Sequence, residues 1–225
     1  MFYFAIPATF GAVEEIKAEL TRTLPDVKSS HRCEALARGL GYNTYASLLS
    51  SSKSAPRDPE VEARAFTDYL KEHGFNVPPL PFYRATVRVA MRDVMERVPR
   101  LTNFGIGTFD HSSSELEFRE KRAELLSDSA VEPFLLSLTF LRRLDPTRGV
   151  NKDISSYGLK HLAEKFACAF PDGTPLGPQY VPNGVLIAAA VHAGFDMRTT
   201  KDQRGREGPN AYFNISKRSL RQVGG

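Results

Sequence analysis

Cysteine is scarce in this 225-residue chain, with Cys33 and Cys168 the only two. Two thiols so far apart supply neither a disulfide framework nor the paired ligands of a zinc ribbon, and their low number suits a reducing compartment. Any long apolar run is missing as well. The longest nearly uncharged stretch, Phe166 to His192, is broken by Pro171, Asp172, Gly173, Pro175, Gly177, Pro178 and Pro182. A bilayer-spanning helix needs about twenty unbroken apolar residues. The opening MFYFAIPATF has no basic stretch and soon meets Glu14 and Glu15, so it does not read as a signal peptide. With 41% apolar and 25% charged residues, the expectation is a soluble, cytoplasmic globular protein of one domain or two small ones.

Signatures of familiar chemistry are also missing. NFGIGTF holds a bare Gly-x-Gly; a dinucleotide fingerprint needs a third glycine after a strand, and a P-loop needs a Gly-Lys-Ser/Thr ending. These glycines read as a turn. His161 stands three residues before Glu164 and seven before Cys168, so the three could share one helix face, but a metal site needs three or four converging ligands. His192, in AAAVHAGF, has apolar neighbours. Packing, with one hydrogen-bond partner each, is the preferred reading of both histidines. His31 and Cys33 are two apart and do not face each other on a helix, and Cys168 sits between alanines as a small buried hydrophobe would. No catalytic, cofactor-binding or metal-ligating residue is assigned.

The positive signals are mostly helical. TFGAVEEIKAELTRTL (9–24) spaces Phe10, Val13, Ile16, Leu20 and Leu24 three and four apart, with Thr9 as cap. In SSHRCEALARGLGYNTYASLL, Ser30 can cap one helix, Gly41 can stop it and Asn43 or Thr44 can start another, the outline of a helix-turn-helix. Ala37 and Gly41 would let the two helices cross closely. The polar, proline-bearing SSSKSAPRDP (50–59) reads as a linker and the best domain boundary. Beyond it, helices are expected from Asp58 and Pro59 through EVEARAFTDYLKEHG, with Val61, Ala65, Phe66 and Leu70 on the apolar side, and over 82–98, with Phe82, Val87, Val94, Met95 and Val98 inside. Further helices are expected over the charged SELEFREKRAELLS, over 129–144, over SSYGLKHLAEKFACAF and over PNGVLIAAAVHAGF. NAYFNIS alternates like a short strand. The expected fold is mainly α: a multi-helical globular fold with a short strand or hairpin near the C-terminus, divided into residues 1–50, the helical hairpin segment, and 59–225, the main domain with a basic end.

That basic end stands out. From Arg198 onward seven basic residues face two acidic ones, so the segment carries +5 while the whole chain carries +4. Such asymmetry points to nucleic acid or an acidic protein face as partner. Arg198, Lys201, Arg204, Arg206, Lys217, Arg218 and Arg221 are the candidate contacts, with Tyr212 and Phe213 interleaved as stacking aromatics would be. Arg84, Arg88 and Arg92, at four-residue steps, form a second candidate stripe, although Asp93 and Glu96 could turn it into an ion-pair surface. The second hairpin helix, NTYASLLSS, has no basic residue before Lys53, so it offers little to read base edges.

Two segments carry resemblances. SSHRCEALARGLGYNTYASLL resembles a short module of assorted bacterial plasmid proteins and of glyoxalase-related proteins. SSYGLKHLAEKFACAF, YVPNGVLIAAAVHAGF and GPNAYFNISKRSL together resemble small accessory proteins encoded on conjugative plasmids and integrative elements. They cover under half the chain. The metal-binding βαβββ pattern of glyoxalases is absent, so that chemistry does not carry over. The plasmid resemblance implies a mobile-element setting in a bacterial cytoplasm, where accessory proteins act as regulators, partition factors, anti-defence proteins or inhibitors of a rival plasmid's transfer (fertility inhibition). The resulting expectation is a non-enzymatic, cofactor-free accessory protein that binds and modulates or inhibits a transfer or defence machine. A DNA-binding regulator using the basic end is the alternative, an enzyme of unknown class the third, and the oligomeric state stays open.

Overall fold

Phe2, Phe4, Ile6 and Ala8 are buried and the residues between them less so, the period-two pattern of extended chain. In the computed structural model, which describes residues 2–107, 114–201, 205 and 207–224, this N-terminal segment pairs with residues 57–61. Ala5 and Glu60 form an antiparallel bridge, the Val61 N–H donates to the Phe4 carbonyl (2.8 Å) and the Ala8 N–H to that of Arg57 (2.9 Å). The pairing explains why the helix expected from Asp58 begins instead at Ala63. Glu60 and Val61 are held in extended conformation.

The described residues are mainly helical and fall into two compact units, residues 1–93 with 169–174, and 94–168 with 175–225. Unit 1 contains α1 (Phe10–Thr23), α2 (Ser29–Gly39), α3 (Tyr45–Ser54), α4 (Ala63–Glu72) and the larger part of α5 (Leu80–Arg97). Thr9 caps α1 by accepting from the Ala12 N–H, and Val13, Ile16 and Leu20 are buried as the spacing requires. Thr44 and Ser47 form a reciprocal capping box on α3. α2 starts at Ser29, with Lys28 in the cap position and no side-chain cap, so Ser30 does not cap it. Gly41 adopts φ +73° with open space around it and serves the turn. The close approach expected at Ala37 and Gly41 occurs instead at Gly39, where an added Cβ would lie 2.5 Å from the Phe82 ring. Phe82 and Phe66 stack 4.5 Å apart beneath it.

The 50–59 stretch does not separate the units. α3 runs on through Ser54, and residues 57–59 receive the N-terminal segment. Unit 1 is closed elsewhere: Phe170, carried on the 169–174 turn, packs edge-on against Phe2 (5.3 Å) and lies 5.8 Å from Tyr83. Burial pushes the Tyr83 hydroxyl pKa far above its ordinary value.

Unit 2 is built on α7 (Val131–Leu141) and α9 (Asn183–His192), both buried nearly all round, as an interior helix pair must be. Around them lie the hairpin β1 (Leu101–Thr102) and β2 (Gly105–Ile106), α6 (Glu115–Ala123), α8 (Ser156–Ala163), the first residue of the two-residue strand β3 (Cys168–Ala169), β4 (Pro175–Leu176), the hairpin β5 (Met197–Lys201) and β6 (Glu207–Phe213), and α10 (Lys217–Gly224). Pro133 sits in the first turn of α7, where its missing N–H costs nothing. α8 stops at Ala163, well short of the expected FACAF ending, so His161, Glu164 and Cys168 do not share a helix face. Gly184 opens α9 so close to the β1–β2 hairpin that an added Cβ would lie 1.8 Å from the Thr102 carbonyl oxygen.

Candidate functional site

In the β5–β6 hairpin Arg198 stands opposite Tyr212, between the pairs Met197–Phe213 and Thr199–Ala211. Phe213 and Ala211 are buried, so alternation puts Arg198 and Tyr212 together on the other face. Three residues beyond β6, Ser216 caps α10 by accepting from the Arg218 and Ser219 N–H groups. Ser219 is buried and accepts from the Asp145 N–H (3.0 Å), which fixes the rotation of α10 and leaves Lys217, Arg218 and Arg221 exposed. Lys217 contacts the Asp153 carboxylate. Arg198, Lys201, Arg218 and Arg221 form no ion pair with any described residue. Lys201 lies opposite Glu207, but that carboxylate is engaged by Arg100 (3.2 Å) and by the Thr199 hydroxyl (2.9 Å). Arg204 and Arg206 lie outside the described residues.

The second expected cationic surface is different. Arg84 and Arg88 are half-buried, and only Arg92 of the three is exposed. Arg88 pairs with Glu19 at 2.7 Å and Arg92 with Glu15 at 2.7 Å. Glu15 and Glu19 both belong to α1. Burial alone would raise the Glu19 carboxyl, but the Arg22 hydrogen bonds and the Arg88 charge outweigh it and hold Glu19 below the usual carboxylate value. Arg88 and Arg92 fasten α5 to α1, so the three arginines do not make a free cationic stripe.

A third feature was not anticipated. In unit 2 a cavity of about 400 Å³ is bordered by Asn103, Phe104, Tyr157, Lys160, Tyr180 and Asn183. Tyr157 and Tyr180 are 52% and 69% exposed, whereas Lys160 is only 4% exposed. The Lys160 ammonium lies 5.3 Å from the Tyr157 ring centroid and 4.6 Å from that of Tyr180, placing a cation beside two π faces. Its counter-charge is Glu164, at 2.7 Å. Glu164 also accepts from the Val181 N–H (3.2 Å) and pairs with His161 Nδ1 (2.7 Å). Burial would raise this carboxyl, but the bonds from Lys160, His161 and Val181 outweigh that effect and lower it.

The two histidines therefore differ. His161 is exposed, edge-on to Tyr157 at 4.7 Å and hydrogen-bonded to Glu164, so it is a surface residue and not a core one. His192 is half-buried against Phe134, with ring centroids 5.7 Å apart, which agrees with packing. Burial pushes the Cys33 and Cys168 thiols above their usual value. Among the described residues, no group of three or more His, Cys, Asp or Glu is arranged to hold a metal ion, and no helix is long and apolar enough to cross a membrane.

The signal for the cavity was present but scattered. SSYGLKH carries Tyr157 and Lys160, GPQYVPN carries Tyr180 and Asn183, and LTNFG carries Asn103 and Phe104. Their meeting depends on how unit 2 folds. Comparison of the chain with protein-family models, curated protein sequences and solved structures finds no match in any of the three.

Proposed function

We propose that this chain is a binding protein that modulates or inhibits a larger macromolecular machine, docking through the basic C-terminal segment of unit 2. The observation that carries the reading is the uncompensated charge there. Arg198, Lys201, Arg218 and Arg221 are exposed without an acidic partner among the described residues, whereas Arg88 and Arg92 are matched within unit 1. A protein keeps unmatched cations in one segment at a cost in self-repulsion, and a polyanionic or acidic partner relieves it. The sequence resemblance to mobile-element accessory proteins supports a conjugative-transfer or host-defence assembly as the machine, with an acidic protein surface as the contact. Tyr212 beside Arg198 favours a second reading, DNA binding, because an aromatic among cations also suits stacking and phosphate contacts.

The triple variant Arg198→Ala, Arg218→Ala, Arg221→Ala tests both. All three residues are exposed, so thermal stability should change by no more than about 1 kcal/mol. Expressed in cells that carry a conjugative plasmid or face a phage challenge, the wild-type protein should alter transfer or infection frequency and the triple variant should not. Wild-type protein should ignore duplex DNA at near-physiological salt. Tight binding there, falling steeply as salt rises, would instead favour the DNA reading. A variant as active as wild type would remove this segment from the function.

A further inference from the structure

We propose that the aromatic cavity of unit 2 is a docking groove for a proline-rich peptide segment that carries a basic residue. The site is separate from the cations of the C-terminal segment. Its mouth is formed by the exposed rings of Tyr157 and Tyr180, which flank the Lys160 ammonium at 5.3 and 4.6 Å from their centroids. Lys160 is nearly buried and balanced by Glu164 at 2.7 Å. The slot between the rings therefore has a floor without net charge, which suits an apolar occupant. Phe104 and Pro209 extend the apolar lining, and the cavity measures about 400 Å³.

The lining offers a ligand few polar partners. Asn183 commits its Nδ2 to the carbonyls of Phe104 (3.2 Å) and Pro209 (3.1 Å) and to Asn210 Oδ1 (3.2 Å), and its own Oδ1 is buried out of a ligand's reach. Asn103 gives its Nδ2 to Glu124 (2.9 Å) and likewise buries its oxygen. What remains are the phenol hydroxyls of Tyr157 and Tyr180, neither bonded to a described residue. A matching ligand brings apolar rings and a few bare acceptors. Polyproline II chain is built that way: its prolines are apolar rings, and with no internal hydrogen bonds its carbonyls are free to accept from the tyrosines. Aromatic-lined grooves take such segments because little conformational entropy is lost on docking.

Charge supplies the rest of the assignment. A smaller cavity of about 170 Å³ shares Asn103, Phe104 and Tyr180 with the first and is bordered beyond them by Glu117, Lys121 and Glu124. Tyr180 thus stands where an apolar slot meets a charged end. Lys121 and Asn103 engage Glu124 at 2.7 and 2.9 Å. Glu117 is half-buried on α6 and forms no ion pair with a described residue. The charged end therefore carries one uncompensated negative charge, complementary to a lysine or arginine. One turn of polyproline II, three residues in about 9 Å, separates such a cation from the prolines. Other ligands meet only part of this. A sugar or a base brings more polar groups than the lining can pair, an aliphatic chain leaves Glu117 and the phenols unmatched, and an acidic peptide is repelled.

The test is titration of the full chain with the heptapeptide PPAPPAR and its reverse RAPPAPP, followed by calorimetry and tyrosine fluorescence. Both directions are used because a polyproline II strand shows its prolines alike either way. Controls replace the prolines by alanine, or the arginine by glutamate. At least one of the two peptides is expected to bind saturably, and its alanine control about ten-fold more weakly or worse. Tyr180→Ala and Tyr157→Ala should each cost about ten-fold, as the loss of an anchoring tyrosine does. Both rings are exposed, so neither substitution endangers the fold. Glu117→Gln should narrow the preference for the arginine over the glutamate peptide by about two- to five-fold, the worth of a partly exposed ion pair. Arg218→Ala with Arg221→Ala should leave peptide affinity unchanged, which separates this groove from the basic segment. Absence of saturable binding to both peptides at millimolar concentration would overturn the proposal. So would an alanine control that binds as well, a preference for the glutamate peptide, or binding indifferent to both tyrosine substitutions.

Discussion

One carboxylate, Glu164, receives a buried lysine, a histidine and a backbone N–H. Removing it leaves Lys160 as an unbalanced charge at 4% exposure. Glu164→Gln should therefore destabilise the protein by about 3 kcal/mol, and adding Lys160→Met should recover part of the loss; urea denaturation of the two variants measures both. The pH dependence has a definite sign. Glu164 and Glu19 have folded pKa values below the ordinary 4.5, so their contribution is full above that value and is lost as pH falls through the depressed folded values. Wild-type stability should decline below about pH 4.5, and Glu164→Gln should flatten the decline. At this scale the sequence was half legible. The spacing of His161 and Glu164 was visible, but the partner that makes Glu164 a hub, Lys160, was not singled out. Val181 reaches it only because the chain returns from a distance that spacing does not encode.

Among the elements, those with a strong period and a local cap could be read directly, as α1 with Thr9 and α3 with Thr44 show. Elements stabilised from afar could not. The extended segment at Phe2–Ala8 has the right alternation, but its partner lies fifty residues on, and the start of α4 was misplaced because Glu60 and Val61 serve that pairing. α6 is the charged helix expected over SELEFREKRAELLS, and it buries no residue outright. Even so, Arg122 reaches from it to the carbonyls of Met95 (2.6 Å), Pro99 (2.8 Å) and Leu101 (2.9 Å). Those carbonyls at and beyond the end of α5 have no helical donor of their own, and burial lowers the guanidinium's pKa from its usual value. Arg122→Ala should cost about 2 kcal/mol and speed amide exchange around residues 98–101. Arg119→Ala, exposed one turn earlier and paired only with Glu115, should change stability by less than about 0.5 kcal/mol. Thermal melts of the two variants make the comparison.

For the whole molecule, the mainly helical class and the basic end could be read from composition, because neither depends on which elements meet. The division into units could not. A polar, proline-bearing stretch looks like a boundary, yet 50–59 is partly helix and partly a pairing surface, and the six residues that complete unit 1 come from far along the chain. Phe170 on that insert is 7% exposed among Phe2 and Tyr83. Phe170→Ala should destabilise the protein by about 3 kcal/mol or more, and should let a hydrophobic dye bind that wild type excludes. The same insert sets an order of events at the ribosome. Chains emerge N-terminus first, at about 5–20 residues per second, so residues 1–93 are in solution well before Phe170 has been translated. Through that interval the aromatic edge of Phe2 and Tyr83 waits uncovered, and the nascent chain presents a sticky surface that a chaperone can hold until the plug arrives.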